Sequence, residues 1–293
     1  MCPINASLWA RSSAEGDGNV CGDADMCVEP SASPSPNDQA GVLMPNSLSL
    51  SGRCALITGA AKRLGAGIAR ALHAEGANIV IHYRGSATQA RELADALNSA
   101  RAGSASMIQS DLLDTARTPD LIAHAVATFG GLDILVNNAS TFYPTPIGSI
   151  TLAHWDDLFG TNLKAPLFLA QAAAPHLRQR QGLIINMVDI HAQRPLPEHP
   201  VYCAAKAGLV MLTRSLAREL GPEVRVNGIA PGPVLWPEAG TDDALKTEII
   251  GKTALKRMGS PTDIARAVLF FAKDAPFVTG QILAIDGGRS IGW

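Results

Sequence analysis

Residues 54–83 read Cys54-Ala-Leu-Ile-Thr58-Gly59-Ala-Ala-Lys-Arg63-Leu64-Gly65, then a run from Ala66 to Glu75 closed by Gly76, then Ala77-Asn-Ile-Val-Ile-His82-Tyr83. A short apolar run, a glycine-bearing turn, a segment of helical composition and a second apolar run all fall within about 30 residues. That order is a strand–turn–helix–strand unit, with the two strands parallel. In such a unit the turn is suited to a dinucleotide pyrophosphate. Glycine lets the backbone approach phosphate, and the helix N-terminus offers free N–H groups at the positive end of its dipole.

The alternation continues outward from that unit. Ser86 to Ala100 reads as a helix, Ser106 to Gln109 as a strand, Leu121 to Phe129 as a helix and Leu132 to Val136 as a strand. A long helix is expected from Ala153 to Arg178, a strand from Leu183 to Val188, and an amphipathic helix running to Leu220, stopped by Gly221-Pro222. Val224 to Ala230 and Ile282 to Ile285 complete the strands, with a helix from Thr262 to Lys273 between them. The strands are continuous apolar runs, as buried parallel strands are. Seven strands alternating with helices predict an α/β protein, a Rossmann-type doubly wound parallel sheet in one domain, residues 49–293. Residues 1–48 contain Ser-Ala-Ser-Pro-Ser-Pro and Gly-Asp-Gly-Asn and lack periodicity, so they read as a disordered N-terminal extension, with a regulatory or targeting arm as the alternative.

Composition narrows the function classes. Of 293 residues 47% are apolar, enough for a large core, and the net charge is −2 without a basic block, which argues against nucleic acid. No apolar run approaches the roughly 20 residues that span a bilayer, and the N-terminus has no secretory pattern. The five cysteines form no CxxC pair or Cys/His cluster, so reduced thiols, a cytoplasmic protein and no metal site are expected.

Ligands of such sheets bind beyond the carboxyl ends of the strands. Gly59, Asp111, Asn138, Asp189 and Pro231-Gly232 all follow strand ends and so converge on one side of the molecule. The second strand ends His82-Tyr83-Arg84-Gly85-Ser86, with no carboxylate to bind ribose hydroxyls. His82, Arg84 and Ser86 instead suit a 2′-phosphate, and Arg63 in the first turn adds a guanidinium that matches phosphate geometry. NADPH is therefore expected over NADH. Asp111 suits the adenine amino group, or serves as a cap. Tyr202 and Lys206 are four residues apart, 206 − 202, on one face of a helix. An ammonium beside a phenol is expected to lower the tyrosine's pKa and make it a better proton donor.

Together, Thr58-Gly59-x-x-x-Arg63-x-Gly65, Asn137-Asn138-Ala139-Ser140, Asn162, Tyr202-x-x-x-Lys206 and Pro231-Gly232 resemble the short-chain dehydrogenase/reductase family over nearly all of residues 50–293. The resemblance implies that Tyr202 is the proton donor or acceptor, that Lys206 binds the nicotinamide ribose, and that Asn162 helps hold a water-linked proton relay. It extends cofactor contact to Leu64, Tyr83, Leu112, Ala139 and Ser140, and implies a homotetramer. Two departures stand out. Arg63 replaces the usual middle glycine of the turn, and Asp189 replaces the usual serine, thirteen residues before Tyr202 (202 − 189).

With His82-Tyr83, Asn138-Ala-Ser140-Thr-Phe142-Tyr-Pro-Thr-Pro146 and Asn186-Met-Val-Asp189, these features are similar to the pteridine reductases. That resemblance implies that Arg63 contacts phosphate and substrate, that Phe142 stacks a pterin, and that the Asp189–Tyr202 pair delivers protons. Ser140 suits the amino-pyrimidine edge of a pterin. The stretch Pro233-Val-Leu-Trp236-Pro-Glu238 reads as the substrate loop, and His191 and Trp236 read as loop packing or pocket lining. Two other readings remain: a general carbonyl or 3-oxoacyl reductase of the same fold, and a non-catalytic NADPH-binding regulatory protein.

Overall fold

The computed structural model describes residues 48–236 and 242–291. Residues 1–47, Pro237 and Glu238 of the expected substrate loop, and the expected extension therefore lie outside the described residues, apart from Leu48. Seven strands form one sheet: β1 (Cys54–Ile57), β2 (Asn78–Tyr83), β3 (Ala105–Gln109), β4 (Ile134–Asn137), β5 (Leu183–Met187), β6 (Arg225–Pro231) and β7 (Ile282–Ile285). Their order is β3-β2-β1-β4-β5-β6-β7 and every pairing is parallel. The chain moves outward from β1 to one edge, then returns to β4 and proceeds to the other. The strand order reverses between β1 and β4, and the crevice at that reversal is where such sheets bind ligands.

The central strands are largely apolar because both faces are covered. Ala55, Ile57, Ile79 and Ile81 point to one side and pack with α1 (Arg63–Ala74), α2 (Ala87–Ala100) and α8 (Pro261–Leu269). Leu56, Val80, Leu135 and Ile184 point to the other, against α3 (Thr118–Phe129), α5 (Ala165–Arg180) and α6 (Pro200–Leu220). All four residues of β1 are fully buried, and its two large side chains, Leu56 and Ile57, each contribute roughly 1.5–3 kcal/mol by removal from water.

The long helix expected over residues 153–178 is interrupted. It consists of α4 (Leu152–Phe159), a wide turn of π type at Gly160–Lys164, and α5. The cause is local: the Asn162 side-chain amide donates to the Leu158 carbonyl at 2.9 Å and the Thr141 carbonyl at 3.0 Å, a side chain entering the helical ladder. A similar wide turn, Phe270–Asp274, ends α8 early. The sequence reading passed over α7 (Asp243–Gly251), which is capped by the Asp242 carboxylate accepting from the amides of Ala244 and Leu245. No helix among the described residues is long and apolar enough to cross a membrane.

Candidate active site

The glycine turn is locked to the end of β4. The Thr58 hydroxyl accepts from the amides of Asn138 (2.9 Å) and Ala139 (3.0 Å) and donates to the Val136 carbonyl (3.3 Å). Asn138 returns the contact, its side-chain amide donating to the carbonyls of Thr58 (2.8 Å) and Gly59 (3.2 Å). The Asn138 side chain thus braces the turn. Gly59 has φ +61°, and a Cβ on Gly65 would sit 2.8 Å from both Ala60 Cα and Asn138 Nδ2. Backbone packs against backbone there, which is why glycine is required. Arg63 holds φ +56° without being glycine, a left-handed conformation that costs a non-glycine residue roughly 1–2 kcal/mol. Its guanidinium donates to the Trp236 carbonyl at 3.0 Å, tying the turn to the loop after β6. Lys62 gives α1 no side-chain cap, so the helix N-terminus presents its amides to whatever lies in front of it.

In front of it lies a cleft of about 490 Å³. It is lined by Gly59, Arg63, Leu64, Gly65, His82, Tyr83, Arg84, Ser86, Asp111, Leu112, Asn138, Ala139 and Ser140, all expected from sequence, and by Ala61, Lys62, Gly85, Thr141 and Thr161, which were not. The dense motif at 138–146 and the neighbour of Asn162 were signals enough for Thr141 and Thr161. Pro231 and Gly232 close β6 outside this cleft, where the Gly232 amide donates to the Ile285 carbonyl at 3.0 Å. Asp111 combines its two expected roles only in part: Oδ1 accepts the Leu113 amide at 3.0 Å as a cap.

His82 lines the cleft, and its surroundings fix its charge. Its ring is buried and burial pushes its pKa down to about 4. Nδ1 takes the Gly59 amide at 3.1 Å, and Nε2 lies 3.0 Å from the Ser110 carbonyl. An amide can only donate and a carbonyl only accept, so the ring is neutral with its proton on Nε2. A neutral ring with both nitrogens engaged by backbone carries no charge to a phosphate; Arg63, Arg84 and Ser86 remain for that role.

Beyond Ser140, which lines the cleft, the candidate reacting groups meet. Asp189 ends β5's extension and caps a short helical turn, Oδ1 accepting the His191 amide at 2.8 Å. Its other oxygen, Oδ2, accepts the Tyr202 hydroxyl at 2.8 Å. Tyr202 sits in the first turn of α6, and Lys206 one turn later donates from Nζ to the Met187 carbonyl at 2.8 Å, 5.7 Å from the Tyr202 ring centre. The expected lowering of the tyrosine's pKa is not found. Burial, then the Asp189 charge and its hydrogen bond, raise it well above the usual value. Burial also pushes Lys206 down to about 8, partly offset by Asp189.

The Ser140 hydroxyl donates to Asn162 Oδ1 at 2.6 Å, so the wide turn in the long helix serves to hold Ser140 and Thr141 beside the phenol. Phe142 is half exposed at 48%, edge-on to Tyr202 at 4.8 Å between centroids. One of its faces is stacked by His199, at 4.7 Å and 13°. His199 had no signal in the sequence; the loop before α6 carries it there. His191 is turned to the Arg194 carbonyl at 2.9 Å, which is loop packing.

The arrangement is a cleft in front of the glycine turn, with a tyrosine–lysine pair beyond Ser140 in its lining. A family profile described as Enoyl-(Acyl carrier protein) reductase matches residues 59–290. The chain belongs to the short-chain dehydrogenase/reductase family. It is 36% identical over 240 residues to the 3-oxoacyl-[acyl-carrier-protein] reductase of Staphylococcus aureus, covering 80% of this chain and 97% of the relative. It is also 36% identical over 278 residues to pteridine reductase 1 of Leishmania tarentolae, covering 81% and 96%. A blue fluorescent protein from a metagenomic library, solved in complex with NADPH, superposes with a TM-score of 0.78 at 33% identity, covering 83% of this chain and 99% of that one. This short-chain reductase is thus an NAD(P)H-dependent oxidoreductase, and its glycine cradle and uncapped α1 N-terminus fit the cofactor's phosphates.

Proposed function

We propose that this chain is an NADPH-dependent pteridine reductase, reducing a dihydropterin or dihydrofolate. The observation that supports it most is the Tyr202–Asp189 hydrogen bond of 2.8 Å beside the half-exposed ring of Phe142. A flat heteroaromatic ring needs an aromatic platform, and Phe142 offers one. The nicotinamide, when bound, supplies hydride. The chain's own residues then manage the proton. Tyr202 stays neutral through the physiological range, because a phenolate next to the Asp189 carboxylate in a buried site is strongly disfavoured. It gives its proton to the basic ring nitrogen of the substrate, and the phenolate left behind regains a proton from solvent passed on by Asp189, which is partly exposed. Lys206 fixes its ammonium against Met187 at the ribose end, and Ser140, held by Asn162, faces the substrate's polar edge. For the cofactor, no carboxylate stands at the end of β2, and Arg63 and Arg84 line the cleft, which favours NADPH over NADH.

A 3-oxoacyl reductase is the second reading, favoured by the equal identity to the Staphylococcus aureus relative. Asp189 weighs against it: an alkoxide forming beside a carboxylate meets repulsion where a hydroxyl would donate. The test is NADPH oxidation at about 340 nm, the nicotinamide band, with dihydrobiopterin, dihydrofolate and an acetoacetyl thioester, with NADH in parallel and an Asp189→Ala variant. Pterin turnover that is lost in the variant is expected. Thioester turnover without pterin turnover would refute the pteridine reading, and no turnover would favour a binding protein.

A further inference from the structure

Three strand ends form the adenosine side of the cleft: β1 with its glycine turn, β2, and β3 with Ser110, Asp111 and Leu112. β2 lies between the other two. His82, its penultimate residue, engages both neighbours. Its carbonyl accepts the Ala60 amide at 2.9 Å, and its ring accepts the Gly59 amide at 3.1 Å. The other ring nitrogen donates to the Ser110 carbonyl at 3.0 Å, next to Asp111. We propose that His82 is a positioning residue for the cofactor: a neutral imidazole strut that sets the separation between the glycine turn and the 110–112 segment, and hence the width of the slot for the adenosine half of NAD(P)H.

The ring joins the Gly59 amide to the β3 end directly. The residue is 2% exposed, and both of its ring bonds are part-buried. Replacing it leaves a part-buried donor and a part-buried acceptor without partners, and either strand end is free to shift toward water. The charge state fits this role: burial outweighs both the Ser110 bond and the Asp111 charge, and the ring stays uncharged beside a site for phosphates. A phosphate ligand and a strut make different predictions. A ligand of the 2′-phosphate matters to NADPH alone, whereas a strut matters to every nicotinamide dinucleotide that shares the adenosine half.

The experiment is cofactor affinity, read by tryptophan fluorescence on titration with NADPH and with NADH, beside thermal unfolding without cofactor. His82→Phe fills the volume but satisfies neither backbone group. Both Kd values are expected to rise by a common factor, roughly tenfold. His82→Asn keeps an acceptor for the Gly59 amide but loses the Ser110 bond, and is expected to raise both Kd values by a smaller common factor. A loss confined to NADPH would make His82 a phosphate ligand and overturn the proposal. Unchanged affinities with a lowered Tm would overturn it too, since the ring would then only stabilise the fold. If the Phe variant fails to fold, the Asn variant, which loses only the Ser110 bond, carries the same two-cofactor comparison. The imidazole ¹⁵N shifts of the unaltered protein decide independently: the neutral Nε2–H form persisting on NADPH addition at about pH 7 supports the strut, and conversion to imidazolium refutes it.

Discussion

Replacing Arg63 by glycine separates what this residue does for the fold from what it does for the cofactor. Arg63 is held at φ +56°, so glycine relieves strain of roughly 1 kcal/mol. Against this, glycine widens the unfolded ensemble by about 0.4–1 kcal/mol, and an exposed hydrogen bond to the Trp236 carbonyl is lost, at about 0.5 kcal/mol. The sum lies within about 1 kcal/mol of zero, or a few degrees in Tm for a domain of this size. The cofactor side does not cancel. A guanidinium bonded to phosphate contributes about 1.5–3 kcal/mol, so NADPH affinity is expected to fall roughly 10- to 150-fold. Urea or thermal unfolding gives the first quantity, and fluorescence titration with NADPH the second. A Tm drop of about 5 °C or more, or an unchanged NADPH affinity, would show that Arg63 is there for the fold and that the strained turn is not maintained for the cofactor.

Gly65→Ala should destabilise the protein by about 1–3 kcal/mol and abolish tight NADPH binding, because the added Cβ would sit 2.8 Å from Ala60 Cα; unfolding and titration check both. Phe142→Ala should raise the KM for a dihydropterin about tenfold while leaving the NADPH Kd unchanged, and steady-state kinetics with both ligands varied will show it. Lys206 gives a pH prediction with a definite sign. Its folded pKa of about 8 lies below its unfolded value of 10.5, so between these the unfolded state binds more protons and stability rises with pH. The buried charge therefore weighs against folding below about pH 8, and up to roughly 3 kcal/mol is relieved by pH 10.5. Urea unfolding at several pH values should show this rise in the natural protein and not in Lys206→Met; parallel curves would contradict it.

The turn residues Gly59 and Gly65, the missing carboxylate after Tyr83, and the Tyr202–Lys206 step were legible in the sequence because their roles follow from local geometry, whereas the Asp189–Tyr202 pair was legible only through family resemblance. A left-handed turn needs glycine, a strand end faces the crevice, and a four-residue step shares a helix face. The parallel sheet was legible for the same reason: apolar runs of strand length alternating with helical periodicity have few other solutions. Burial and long-range approach decided the rest. Tyr202 and Lys206 are neighbours in sequence, yet the tyrosine's pKa moves opposite to the pairwise expectation, because desolvation and the carboxylate outweigh an ammonium turned to Met187. His82 has the composition of a phosphate ligand, and only the approach of Gly59 and Ser110 on either side makes it a neutral strut. Asn162 opens its helix because Thr141 and Leu158 present carbonyls to one amide, and His199 reaches Phe142 across a loop whose course no periodicity encodes. Local pattern determined which elements form and which residues stand at their ends; the charge each residue carries, and the partner it faces, depend on what the assembled layers exclude from water.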